Sequence, residues 1–103
     1  MVESLRVLPE AVGDATEAYL WYEERRPGLG EEFLECVDEC VERIRRDPEL
    51  FEVLHEDYRR ALVRRFPYVV FYEHVANSVT VFAVFHTALD PRKWRKRIER
   101  GDR

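Results

Sequence analysis

His86 ends an apolar run, Val79-Thr80-Val81-Phe82-Ala83-Val84-Phe85, and precedes the basic segment Arg92-Lys93-Trp94-Arg95-Lys96-Arg97. An imidazole at the end of a strand titrates near neutral pH and can act as acid or base. It equally suits a structural role, hydrogen-bonded to the loop 87–90 that follows. Upstream lie two arginine pairs, Arg59-Arg60 and Arg64-Arg65. Successive strand residues face opposite ways, so each pair sends one guanidinium to each side of a sheet. Arg60 and Arg64 would then line one face as a row able to fork onto phosphate or carboxylate. Charge that guards an edge strand against aggregation explains the same pairs.

Other chemistries find little support. Cys36 and Cys40 lie one helical turn apart, where parallel Cβ directions make a poor disulfide. Without a matching His or Cys cluster their spacing is a weak zinc signal, and two buried free thiols fit a reducing compartment. His55, His74 and His86 follow no ligand spacing, so no metal is expected. Ser4 and Ser78 are the only serines, and neither a nucleophile elbow nor a glycine-rich phosphate loop is present. No cofactor and no small-molecule ligand are expected.

The positioning elements must come from a single domain spanning residues 1–103. With 46% apolar and 13% aromatic residues the chain is not disordered, and it can bury roughly 65% of its unfolded surface. No apolar run approaches the ~20 residues of a membrane helix. No secretion signal is visible at residues 1–9, so a cytoplasmic protein is expected. The net charge of −4 argues against bulk affinity for nucleic acid. The average conceals a split. Residues 1–57 carry 17 acids and six bases, net −11, and residues 58–103 carry four acids and 11 bases, net +7. Such asymmetry marks an interaction surface, or simply acidic exposed helix faces with bases gathered elsewhere.

Residues 4–8 read as a short edge strand. Pro9 suits the first position of a helix, whose stripe is Ala11, Ala15, Ala18, Tyr19 and Tyr22, with Leu20 and Trp21 off the stripe. Pro27-Gly28-Leu29-Gly30 punctuates. A second helix over residues 31–46 buries Phe33, Leu34, Val37, Cys40, Val41 and Ile44 and stops at Asp47-Pro48. The short link predicts an antiparallel hairpin. Three strands follow, over residues 60–65, 68–74 and 79–85, with a turn at Ala76-Asn77-Ser78. Leu62 and Arg60 are expected on one side of the first of these, Ala61 and Val63 on the other. The last two strands are apolar on both faces, as for central strands covered on both sides. Asp90 is the expected N-cap of a last, basic helix beginning with Pro91.

Certain segments have a familiar order and spacing: Trp21-Tyr22-Glu23, Pro27-Gly28-Leu29-Gly30-Glu31-Glu32-Phe33, Asp47-Pro48, Arg64-Arg65-Phe66-Pro67-Tyr68-Val69-Val70-Phe71-Tyr72 and Ala83-Val84-Phe85-His86-Thr87-Ala88-Leu89-Asp90-Pro91-Arg92-Lys93-Trp94. Together they resemble the RelE/ParE superfamily of bacterial toxins, from about Leu5 to Arg97. The resemblance implies an α/β (α+β) domain of order β-α-α-β-β-β, with a helical hairpin on a mainly antiparallel twisted sheet and a short basic C-terminal helix. It further implies the toxin of a type II toxin–antitoxin module of the plasmid-stabilisation kind. A cognate antitoxin would lie beside the sheet and helices and neutralise the basic surface, drawing on exposed positions such as Trp21.

The superfamily divides. RelE-like members cleave messenger RNA on the ribosome with basic residues plus a Tyr or His near the end of the sheet. ParE-like members poison DNA gyrase without that set. The ending Val84-Phe85-His86-Thr87-Ala88-Leu89-Asp90 is similar to the ParE-like pattern, and no Tyr follows His86. The favoured expectation is a ParE-like toxin with DNA gyrase as target, trapping a cleaved DNA complex without chemistry of its own. The alternative is a ribosome-dependent endoribonuclease in which His86 is acid or base and Arg60 and Arg65 stabilise phosphorane-like charge. A third reading is an antitoxin-bound protein with little toxicity. Surface contacts to target or antitoxin would come from Trp21, Arg60, Arg64, Arg65, His86, Arg92, Lys93 and Trp94.

Overall fold

The computed structural model describes residues 2–101. Its elements run β1 (Ser4–Val7), α1 (Pro9–Arg25), α2 (Leu29–Arg46), β2 (Glu52–His55), β3 (Tyr58–Leu62), β4 (Tyr68–Val75), β5 (Ser78–His86) and α3 (Arg92–Gly101). They build a five-stranded sheet of order β1-β5-β4-β3-β2. Only the β1–β5 pairing is parallel; the other three are antiparallel. This is the expected α+β architecture with one strand more. β2 was not anticipated, although Phe51-Glu52-Val53-Leu54 alternates between Pro48 and the turn at Glu56.

Both helices of the hairpin form for the reasons their stripes give. Pro9 opens α1 and Ala11 and Ala18 are buried; α2 buries Phe33, Val37, Cys40 and Ile44. The helices approach closely at Gly30, where an added Cβ would sit 2.7 Å from Tyr19 Cδ1, the Tyr19 carbonyl oxygen and Glu23 Cγ. α2 therefore begins inside the punctuating motif, at Leu29, rather than after it. Glu23 ties this corner, its Oε1 accepting the backbone N–H groups of Gly28 and Gly30, each at 2.8 Å.

The sheet has a core on each face. Ala61, Val63, Val70, Tyr72, Val79, Val81 and Val84 pack under the hairpin. Val69, Phe71, Phe82 and Ala83 form a second cluster against Leu8, Leu54, Phe85, Trp94 and Ile98, the last two from α3. This division explains why β4 and β5 are apolar on both faces. A bulge lies between them: Phe71 pairs with Ala83 and Tyr72 with Val81, leaving Phe82 as the extra residue. Phe82 and Ala83 consequently both face α3, a local switch of alternation typical of bulges. Among the described residues no helix is long and apolar enough to cross a membrane.

Candidate functional site

The C-terminal end of β5 meets the N-terminal end of β4, with His86 opposite Tyr68. Their rings meet edge to face with centroids 5.2 Å apart. Tyr68 in turn packs on Phe33 at 4.9 Å and on Tyr22 at 6.1 Å, and Phe66 contacts Tyr22 at 5.0 Å and Phe33 at 5.4 Å. This aromatic cluster joins hairpin to sheet, and burial raises the phenol pKa of Tyr22 and Tyr68. His86 is exposed at its rim. Its Nδ1 accepts the Ala88 N–H at 3.0 Å, and its carbonyl accepts the Leu89 N–H at 3.0 Å. The imidazole thus makes the structural contact with the 87–90 loop, and an acceptor Nδ1 places the proton of the neutral ring on Nε2.

Two clefts share His86. The first, about 590 Å³, lies on the α3 face and includes Arg43, Arg60, Leu62, Phe71, His86 and Trp94. The second, about 640 Å³, runs beside α1 and includes Asp14, Trp21, Tyr22, Val84, His86 and Leu89. Arg60 and His86 border the first cleft together, but the His86 ring, opposite Tyr68 and two residues beyond Val84, turns to the hairpin side of the sheet. Ala61 and Val63 lie on the hairpin side, and Arg60 and Leu62 on the α3 side, as alternation requires.

The expected row of Arg60 and Arg64 does not form. β3 ends at Leu62, and the chain turns through a left-handed Arg65 (φ 73). Arg64 leaves the α3 face and pairs with Glu39 of α2 at 3.1 Å. Arg65 pairs with Glu32 of α2 at 2.8 Å; its hydrogen bond holds the Glu32 carboxyl below the usual range. Arg60 pairs with Glu52 of the neighbouring strand at 2.8 Å. The three guanidiniums thus lie on two sides of the sheet, each on a carboxylate. The acidic first half and basic second half partly neutralise one another through these bridges.

A fourth bridge joining the halves is nearly buried. Arg97 of α3 crosses the Phe85 ring, its guanidinium carbon 4.8 Å from the centroid. It then forks onto Asp14 of α1, at 3.0 Å to Oδ2 and 3.3 Å to Oδ1. It also donates to the Phe82 carbonyl at 3.0 Å, while Asp14 Oδ2 accepts the Val84 N–H at 3.0 Å. β1 reaches only to Val81 along β5. Beyond that point a carboxylate and a guanidinium substitute for the missing strand, satisfying backbone groups that an open edge would leave to water.

α3 begins at Arg92, one residue after the expected Pro91. Asp90 Oδ1 accepts the Arg92 N–H at 2.9 Å, and the Arg92 guanidinium pairs with Asp90 Oδ2 at 2.6 Å, which lowers the Asp90 pKa. Trp94 turns inward and stacks on Phe71, centroids 5.9 Å apart and planes 21° from parallel. Its ring is occupied in packing, whereas Trp21 is half exposed, with Arg25 stacked on it at 3.6 Å. Lys93 is exposed. Asp14, Arg97 and Glu32 are the site residues that the sequence reading passed over. Cys36 and Cys40 are free and buried, and burial pushes the Cys40 thiol up to about 11. Among the described residues no three His, Cys, Asp or Glu side chains converge to hold a metal ion.

No curated protein sequence matches the chain. A solved structure titled "Chromosomal ParDE TA system from P. aeruginosa" is similar, with a TM-score of 0.60 and 16% identity over 81% of this chain and 94% of that one; at that identity the likeness establishes the fold. A family model described as "ParE toxin of type II toxin-antitoxin system, parDE" matches residues 5–91. Most of the chain, from the first strand to the cap of the last helix, is therefore accounted for by one family, and the protein belongs to the ParE toxins of type II toxin–antitoxin systems.

Proposed function

We propose that this ParE-family chain is a cytoplasmic toxin that poisons DNA gyrase by surface binding, without bond chemistry of its own, and that a cognate antitoxin neutralises it. The observation that carries the reading is the dispersal of the candidate cations. Arg64 and Arg65 are bound to α2 carboxylates on the hairpin side, and Arg60 is bound to Glu52 on the other. Phosphoryl transfer needs cations preorganised around one reacting centre, and this arrangement supplies a contoured binding surface instead. The clefts flanking His86 and the half-exposed Trp21 offer apolar footing to an antitoxin segment.

The test is induction of the protein alone in bacteria, with DNA breaks and transcript ends followed together. Double-strand breaks and filamentation with intact transcripts are expected; transcript ends inside ribosomal A-site codons without breaks would overturn the reading. One observation favours the ribonuclease alternative: Arg60 and His86 line the same cleft. In that case His86→Ala lowers messenger RNA cleavage by about 10²-fold or more, whereas on the gyrase reading there is no cleavage to lower.

A further inference from the structure

The outer face of α3 carries charge that the fold leaves uncommitted. Of its basic residues, Arg97 is turned inward onto Asp14, its side chain 15% exposed, and Arg92 is held by Asp90. Lys93, Arg95 and Lys96 are exposed and form no ion pair among the described residues. Their direction is fixed, because Trp94 stacked on Phe71 and Arg97 latched to the β5 edge set the rotation of the helix. The acidic hairpin lies on the opposite face of the sheet. Hairpin and α3 meet at the Asp14–Arg97 pair, where one acid and one base cancel, and the acids beside the outer face of α3, Asp90 and Glu99, are outnumbered by its bases. The field of α3 is thus felt locally as cationic although the chain as a whole is acidic.

We infer that Lys93, Arg95 and Lys96 form a contact surface for the phosphate backbone of duplex DNA. On the gyrase reading, on which this inference rests, the toxin would engage the DNA segment held by its target as well as the target protein. The contact is to backbone alone: Trp94, the aromatic residue of α3, is packed on Phe71 and is not available to stack on a base. Binding through phosphates is independent of sequence and steeply dependent on salt. A polyphosphate is favoured over an acidic peptide because Lys93 and Lys96 lie away from the clefts, and Arg95 borders one only beside Glu56 and Glu99, whose carboxylates would repel acidic peptide side chains.

The experiment uses the full chain and a fluorescein-labelled 20-bp duplex of random sequence, read by anisotropy from 50 to 200 mM salt. Three phosphate contacts give a slope of log K against log salt of about −2.7. The variant Lys93→Gln/Arg95→Gln/Lys96→Gln is expected to lose at least tenfold in affinity at 50 mM salt and most of the slope. The variant Arg6→Gln/Arg45→Gln/Arg46→Gln removes equal charge elsewhere and is expected to stay within twofold. Absence of wild-type binding, or equal loss in both variants, overturns the inference. So does competition by a glutamate peptide as effective, at equal charge, as unlabelled duplex, which would assign the surface to an acidic protein. Cleaved gyrase–DNA complexes measured in parallel separate the two readings. Their formation without toxin–DNA binding removes only the α3 surface, and their absence with DNA binding intact removes the gyrase target.

Discussion

Removing the Asp14 carboxylate should destabilise the protein more than any surface ion pair could. Asp14 and Arg97 have side chains only 13% and 15% exposed, and Asp14 also accepts the Val84 N–H. Asp14→Ala strands a guanidinium and a backbone N–H together. An orphaned buried donor costs about 1–3 kcal/mol and a broken buried pair about 3–5 kcal/mol. Residual solvent at the pair lowers the second figure, so the combined cost is about 3–4 kcal/mol. Asp14→Asn keeps an oxygen for Val84 and should cost about half that by the same reasoning. Arg97→Met keeps the stem over Phe85 and removes the charge, at about 2–4 kcal/mol. Both partners serve one stretch of β5 edge, so the double variant Asp14→Ala/Arg97→Met should cost less than the sum, with a coupling of about 2 kcal/mol. Urea unfolding reads this directly: at m near ~1.5 kcal/mol/M a 3 kcal/mol loss moves the midpoint by ~2 M. Additivity within ~0.5 kcal/mol would refute the idea that the pair acts as a surrogate strand.

Four smaller effects follow from the same structure. Gly30→Ala drives a methyl to 2.7 Å from the Tyr19 carbonyl oxygen and should lower the melting temperature, at a cost of about 1–3 kcal/mol. Ala76 is left-handed in the β4–β5 turn (φ 53), so Ala76→Gly should raise stability by ~0.5 kcal/mol in the same melt, relief of strain outweighing added chain freedom. Cys40 has a folded pKa raised from 9.0 to about 11 by burial. The native state therefore retains a proton that the unfolded chain releases, and the Cys40 contribution is full below pH 9 and is lost as pH rises from 9 to 11. Cys40→Ala should flatten the limb between about pH 9 and 10 in denaturation curves taken at each pH, the raised phenols of Tyr22, Tyr68 and Tyr72 adding their own loss above it. By the same burial the Cys40 thiol should resist a thiol reagent until urea is added.

The local elements were legible because their causes are local. Apolar spacing from Phe33 to Ile44 fixes α2, Pro9 and Asp90 mark helix starts, and alternation around Ala61 sorts the faces of β3. His86 could be placed at a strand end because a strand-length apolar run stops there. Arg64 was misplaced because alternation holds only while the strand continues, and nothing in Leu62-Val63-Arg64-Arg65 announces the left-handed turn at Arg65. β2 escaped because three of its four residues are exposed, so its short alternation carries little apolar signal. The Asp14–Arg97 pair joins residues 83 apart in the chain. By sequence Asp14 is one of many acids in the first half and Arg97 one member of a basic run. Only the sheet, by ending β1 early, gives them a shared task.

The central claim is that the chain traps gyrase on DNA rather than cutting RNA. Its most direct measurement is purified gyrase with supercoiled plasmid, ATP and the toxin, quenched with detergent and protease and resolved on a gel. The account predicts linear plasmid that increases with toxin and is abolished by stoichiometric antitoxin. Plasmid processed normally at every toxin concentration, alongside cleavage of messenger RNA in a translating extract, would contradict it.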